Sequence, residues 1–114
     1  MLQERYLQFY EKISTRVDEN RIYTDKASTL AFGTDASFYI LIPKIVIQSK
    51  SIEEIAFLLE IANELNLPVT FRAAGTSLSG QAISDSILIL TSKFWTGYEV
   101  LDNGNSIQLQ PGVI

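Results

Sequence analysis

Apolar residues recur at spacings of three and four in the first segment of the chain, at Tyr6, Phe9, Tyr10, Ile13 and Val17. This is a single stripe on an amphipathic helix, whose other face carries Glu4, Arg5, Glu11, Lys12 and Arg16. Residues 21–37 are mixed. Thr24 or Asp25 is placed to cap a short helix running to Phe32, with Gly33 at its C′ position, and Thr34-Asp35-Ala36-Ser37 reads as a polar turn. Beyond Phe38 the pattern tightens. Ile45-Val46-Ile47 after Pro43 is a β-branched run that predicts a buried strand. Ser51 and Glu54 then form a capping box, and Ile52, Ile55, Ala56, Leu59, Ala62 and Leu65 share one face of the helix it opens. Asn66-Leu67-Pro68 ends that helix, and Val69-Thr70-Phe71 is a second strand. A strand–helix–strand unit of about 28 residues predicts a right-handed crossover between parallel strands. Ser86 to Leu90 is a further buried strand. Gly97–Leu101 and Ser106–Gln110 alternate with period two around Asp102-Asn103-Gly104-Asn105, a strong hairpin signal.

Together these elements predict an α/β (α+β) fold. A small parallel sheet of about three strands has flanking helices, N-terminal helices and a C-terminal hairpin. Charge suggests a division. Residues 1–26 carry five basic and five acidic residues, so the rest carries the whole net charge of −4. Residues 1–30 are accordingly expected to form a helical appendage on a body spanning residues 31–114. The chain of 114 residues stops at Pro111-Gly112-Val113-Ile114, directly after a strand, and is read as a truncated piece of a longer protein.

Composition removes several kinds of chemistry. At 46% hydrophobic and 19% charged residues the chain is globular in type. A pI of about 4.7 leaves no basic face to grip nucleic acid. There is no cysteine and no histidine. Disulfides, thiolate-held clusters, His-based triads and the usual zinc and copper sites therefore cannot be built within this stretch. No carboxylate pair has a spacing that argues for acid/base work; Asp18-Glu19 and Glu53-Glu54 read as solvated helix-end charges. No metal ligand set and no catalytic residue is assigned. The N-terminus lacks the apolar run of a signal peptide, and the longest apolar stretches, such as Phe38–Ile42, are far too short to span a bilayer. A soluble, cytoplasmic protein is expected, with a parent peripheral to the inner membrane compatible with the sequence.

The segment that offers chemistry is Arg72-Ala73-Ala74-Gly75-Thr76-Ser77-Leu78-Ser79-Gly80-Gln81-Ala82. It directly follows a predicted parallel strand, and ligands of α/β sheets bind outside the carboxyl ends of strands. Small side chains let a ligand approach the backbone, successive N–H groups can nest an anion, and Thr76, Ser77 and Ser79 can add donors. A helical turn starting at Gly80 would add its dipole. The bound group implied is a phosphate or pyrophosphate. Gly75 and Gly80 have P-loop spacing, but Gln81 and Ala82 replace the required Lys and Ser/Thr. The dinucleotide G-x-G-x-x-G and the nucleophile elbow G-x-S-x-G are also absent. Two readings stand, a turn-rich surface loop and an anion cradle. Arg72 likewise has two, pairing with the anion or anchoring the loop. Asp35 and Ser37 read as an Asx-turn, and Phe94 and Trp95 as covers for a strand end.

Val69–Ala82, with the strand–helix before it, the upstream Thr34-Asp35-Ala36-Ser37 and Pro43, resembles the FAD-binding domain of the vanillyl-alcohol-oxidase/PCMH superfamily. The likeness is greatest to the FAD-linked D-lactate dehydrogenase and glycolate oxidase subunit group and covers about residues 30–114. It implies that this chain is the first half of a PCMH-type FAD-binding domain. In that family the loop matching Arg72–Ala82 holds the FAD pyrophosphate. The residues it implies for the cofactor are Pro43, near the adenine end, and Arg72, Ala73, Ala74, Gly75, Thr76, Ser77, Ser79, Gly80 and Gln81. Many members have Gly-Gly at Ala73-Ala74. Some link FAD covalently to a histidine where this chain has Thr76, so FAD is expected to bind noncovalently. The resemblance further implies a 2-hydroxy acid such as D-lactate or glycolate as substrate of the full-length parent. It also implies an iron–sulfur domain in the C-terminal part of large relatives. A flavoprotein of the same fold acting as a sugar-nucleotide reductase, and a non-catalytic phosphate/nucleotide-binding or interaction module, are the competing readings. Half a domain exposes apolar sheet surface, so self-association of the chain is expected.

Overall fold

Residues 2–114 are described by a computed structural model. The chain runs α1 (Glu4–Ile13), β1 (Ile22–Tyr23), α2 (Lys26–Ala31), β2 (Ile45–Gln48), α3 (Ile52–Glu64), β3 (Val69–Arg72), β4 (Ile87–Leu90), β5 (Tyr98–Leu101) and β6 (Ser106–Leu109). Four strands form one sheet in the order β1-β2-β4-β3, and β5 and β6 form a separate hairpin. The expected mixed α/β architecture with three parallel strands is present: β2 and β3 both run parallel to β4.

The crossover differs from the simplest expectation, because β2 and β3 are parallel but not neighbours. β4 lies between them, with Ile47 and Phe71 both opposite Ile89. The reason is burial. Ile87-Leu88-Ile89-Leu90 is apolar at every position and buried at every position, which suits a central strand covered on both faces. Val69–Arg72 is only half-buried, with Phe71 exposed, and takes the edge. On the other edge β1 pairs antiparallel with β2, Ile22 opposite Ile47. Two residues are too few to show a period, so this strand had no signature in the sequence.

One face of the sheet carries the main core. Tyr6, Phe9, Ile13 and Val17 pack with Ile45, Ile47, Ile87, Ile89, Leu58, Ala62 and Leu67. The N-terminal stripe is thus buried as its spacing predicts, and the Tyr6 hydroxyl donates to Ser86 Oγ at 2.9 Å. The segment expected to be an appendage contributes these core side chains and the strand β1. The opposite face is smaller: Val46, Leu88 and Leu90, with Tyr23 and Phe32 against them.

Helix α3 is rotated from the face drawn above. Its buried residues are Glu54, Leu58 and Ala62, whereas Ile52 and Leu59 are 71% and 40% exposed and Ala56 is exposed. The rotation follows from Glu54. Rather than standing in solvent, its carboxylate receives Arg21 Nη1 and Nη2 at 2.6 and 2.8 Å, both side chains being buried. Arg21 Nη1 also donates to the Gln48 carbonyl. The capping expectation holds at Ser51, whose hydroxyl accepts from Glu54 N at 3.1 Å. The C-terminus closes as a Schellman motif, with Leu67 N–H to the Ala62 carbonyl and Asn66 N–H to the Asn63 carbonyl. Asn66 sits at φ +53°, the left-handed region that Asn tolerates. In α2 the N-cap is Asp25, which accepts from Ser28 N. Gly33 follows, but not in the left-handed conformation expected of a C′ glycine.

Candidate cofactor site

Three elements position the loop after β3. The first is β3 itself, which ends at Arg72. The second is the turn Thr34–Ser37 after α2, and the third is the segment Phe38–Ile42 that leads back to the sheet. Asp35 Oδ1 accepts from Ser37 N at 2.8 Å, and Ser37 Oγ accepts from Tyr39 N at 3.2 Å, so the Asx-turn forms. Asp35 Oδ2 also accepts from Ala82 N at 3.3 Å. Hydrogen bonding from the Ser37 side chain is the main cause that holds Asp35 below the usual carboxylate range. Partial desolvation opposes it, and the Ser37 and Ala82 N–H groups and the Arg72 charge assist.

Arg72 is the inner support of the loop. Its Nη1 donates to the carbonyl of Thr34 at 2.7 Å and reaches those of Phe32 and Ala82 at 3.5 Å. Its guanidinium also lies over the Phe32 ring, 5.5 Å from the centroid. Of the two readings of this residue, anchoring is the one with contacts, and the anchors are carbonyl oxygens rather than an acidic side chain. Gly75 adopts φ +71° and Gly80 φ +78°, a conformation that favours glycine. Gly80 also lies under the Tyr39 ring, where a Cβ would stand 2.9 Å from Cδ2. It opens no helical turn; the chain makes a simple turn at Gln81-Ala82, so no helix dipole is aimed at the loop.

Ser77 is engaged within the loop. Its hydroxyl bonds Gln81 Oε1 and accepts from the N–H groups of Ser79 and Gln81 at 3.2 Å. Thr76 and Ser79 are exposed, with hydroxyls that have no partner among the described residues. Among the described residues, the backbone N–H groups of Ala73, Ala74, Gly75, Thr76, Ser77 and Leu78, and that of Gly80, find no protein acceptor. A run of free donors with a left-handed glycine among them and exposed small side chains beside it is the material from which an anion nest is built. No acidic side chain occurs from Arg72 to Ala82. The loop thus has N–H donors to offer an anion and no acidic side chain of its own to oppose one.

Arg72 through Gln81 make up one loop, and Pro43, expected nearer the adenine end, lies on a different segment just before β2. Pro43 is buried two residues before β2 and lines a cleft with Leu2, Thr24, Lys26, Thr29, Ile42 and Lys44. The cleft beside the loop is formed by Tyr39, Ile40, Leu41, Ser79, Gly80 and Ile83, and shares no residue with it. Sequence reasoning missed the parts played by Phe32, Tyr39 and the Asp35–Ala82 bond. The Asp35/Ser37 spacing marks a turn, but nothing local shows that a turn 47 positions away holds the end of the loop. Trp95 is buried, and its Nε1 donates to the carbonyl and hydroxyl oxygens of Ser49 at 3.0 and 3.2 Å; it covers the strand ends as expected. Among the described residues no group of carboxylates can hold a metal ion, and no helix is long and apolar enough to cross a membrane.

A donor-rich loop at the carboxyl end of a parallel strand is the place where α/β sheets bind nucleotide cofactors, and comparison with known proteins says which class this chain belongs to. Residues 43–114 match the family model described as FAD binding domain, and the chain belongs to that family. It is 32% identical over 79 residues to glycolate oxidase subunit GlcD of Escherichia coli K12, covering 68% of this chain and 16% of that protein. It is 27% identical over 116 residues to D-2-hydroxyglutarate dehydrogenase of Haemophilus influenzae, covering 97% of this chain and 11% of that one. The chain thus spans under a fifth of the length of either relative. Among solved structures, p-cresol methylhydroxylase with substrate bound shares the fold with a TM-score of 0.81 at 16% identity, over 99% of this chain and 23% of that one. A 4-ethylphenol oxidase from Gulosibacter chungangensis does so at 0.76 and 18% identity, with 99% and 23% covered. The fold is therefore the PCMH-type FAD-binding fold.

Proposed function

We propose that this chain is the pyrophosphate-holding half of the FAD site in a flavoprotein oxidoreductase that oxidises a 2-hydroxy acid such as D-lactate or glycolate. The observation that carries the cofactor role is the run of unpartnered N–H groups from Ala73 to Leu78 around left-handed Gly75. The substrate class is supported by the relatives named for glycolate and D-2-hydroxyglutarate. When bound, FAD supplies the redox chemistry by accepting a hydride equivalent. This chain's residues supply placement and charge complementarity. The N–H donors hold the pyrophosphate, Thr76 and Ser79 offer hydroxyls, and Arg72 with Asp35 keeps the loop in shape. With no histidine or cysteine in residues 1–114, no histidyl or cysteinyl flavin link forms through this segment, and this loop is read as holding FAD noncovalently.

The test is FAD binding by the full-length protein, read as flavin absorbance after purification and as a titration of the apoprotein. The control is Thr76→Asp, which sets a carboxylate on the exposed side of the loop beside the N–H donors. Saturable binding, weakened about a hundredfold or more in the variant by like-charge repulsion, is the expected result. Wild-type protein that takes up no flavin defeats the reading, as does a variant that binds as well as wild type. Turnover of D-lactate, glycolate and D-2-hydroxyglutarate with an artificial electron acceptor then tests the substrate class.

A further inference from the structure

We infer that Arg72 is a positioning residue for the FAD loop, and that Gly75 is glycine partly to make room for it. This rests on the cofactor reading above and deepens it. A Cβ built on Gly75 would lie 2.4 Å from Arg72 Nη2 and 2.6 Å from Cζ and Nε. The guanidinium therefore fills the space directly beneath the glycine, on the protein side of the loop. From there it reaches the carbonyls of Thr34, Phe32 and Ala82 and rests on the Phe32 ring. Those carbonyls belong to the turn before the loop and to its far end, while Arg72 itself opens the loop. One side chain thus pins the start, the bend and the end of a segment with no backbone ladder of its own.

Nη1 alone reaches the three carbonyls, so what a lysine ammonium could not replace is the flat guanidinium that rests on the Phe32 ring and fills the space beneath Gly75. The charge is not idle, because it helps keep the Asp35 carboxylate ionised, and Asp35 is the second tie to Ala82. Cradle geometry, rather than direct pairing with the pyrophosphate, is the work of this cation. Preorganised N–H donors bind tightly because their ordering cost is met on folding. Losing the support leaves the donors present but unaligned.

The experiment uses the full-length protein and four variants: Arg72→Lys, Arg72→Met, Gly75→Ala and the double Arg72→Met/Gly75→Ala. Three readouts are taken: FAD affinity, its dependence on salt, and thermal unfolding of the apoprotein. A positioning role predicts that Lys fails to rescue, both Arg72 variants binding FAD about tenfold or more weakly. It also predicts that Arg72→Met leaves the salt dependence at the wild-type slope. Gly75→Ala should lower the unfolding temperature clearly less in the Arg72→Met background than in wild type. A purely structural role would lower the unfolding temperature and leave FAD affinity unchanged well below it, and that result overturns the inference. Near-wild-type affinity in Arg72→Lys, with a reduced salt slope in Arg72→Met, also overturns it by making Arg72 a charge partner of the cofactor. If wild-type protein takes up no FAD, the cofactor reading fails by itself. The unfolding cycle then still decides the Arg72–Gly75 contact, and additivity there removes it.

Discussion

Asp35 shows how a polar residue with a local signature acquires a distant task. Its spacing from Ser37 was enough to read a turn, because an Asx side chain bonds the backbone two residues on. The second oxygen, bonded to Ala82 N, was invisible, because no local pattern encodes a partner so far along the chain. The pH consequence has a definite sign. A carboxylate held below its ordinary value favours the folded state once ionised, so its contribution is complete above the unfolded carboxylate pKa of about 3.9 and disappears as pH falls through the lower folded value. Asp25, lowered chiefly by the Ser28 N–H at the start of α2, acts in the same direction. Thermal midpoints measured from pH 6 down to about pH 3 should therefore fall. Asp35→Asn should start lower at pH 6 and fall less steeply. Parallel curves for the two proteins would show that Asp35 contributes nothing to the acid limb.

At the scale of elements, apolar spacing located α1, α3 and every strand but β1, since periodicity reports which residues can share a face. It did not settle which face α3 buries. Ile52, Ala56 and Leu59 satisfy a helical period as well as Leu58 and Ala62 do, and what turned the helix was the pairing of Glu54 with Arg21. Both side chains are only 8% exposed, and Arg21 Nε is buried without a partner. Removing one member leaves the other charge buried and unpaired. Glu54→Ala should cost about 3 kcal/mol or more of folding stability, measured by urea denaturation. Arg21→Met/Glu54→Leu should be much milder than the sum of its single variants, because it deletes both charges. A double variant as damaged as that sum would count against the buried pair as the feature that orients α3.

For the molecule as a whole, the hairpin poses the largest question of packing. The register sets Tyr98 opposite Leu109 and Val100 opposite Ile107, so one face of the ribbon is apolar throughout while Glu99 and Gln108 lie on the other. All four apolar side chains are more than half exposed, and a two-stranded ribbon is marginal in water by itself. The chain on its own is therefore expected to associate through this face. Light scattering should show species larger than a monomer, and Val100→Lys/Ile107→Lys should shift them toward monomer. A wild-type chain that stays monomeric at high concentration would remove this expectation. The exposed run from Phe38 to Ile42 had no such alternation, and only its contact with Gly80 gives it a place beside the cofactor loop.

The sequence by itself determined the short-range features, because helix stripes, strand runs, N-caps, the hairpin turn and a small-residue loop after a strand are all written in spacings of a few residues. It also determined what chemistry is absent here, since a chain without histidine or cysteine cannot build the sites that need them. Only the tertiary structure decided how those pieces meet. It set β4 between β2 and β3 because β4 is apolar and buried at every position whereas β3 is only half-buried and takes the edge, and it turned α3 to bury an ion pair. It also brought Phe32, Thr34, Asp35 and Tyr39 under and around the loop. Those outcomes depend on contacts between residues tens of positions apart, where burial and charge pairing choose among arrangements that local pattern leaves equal.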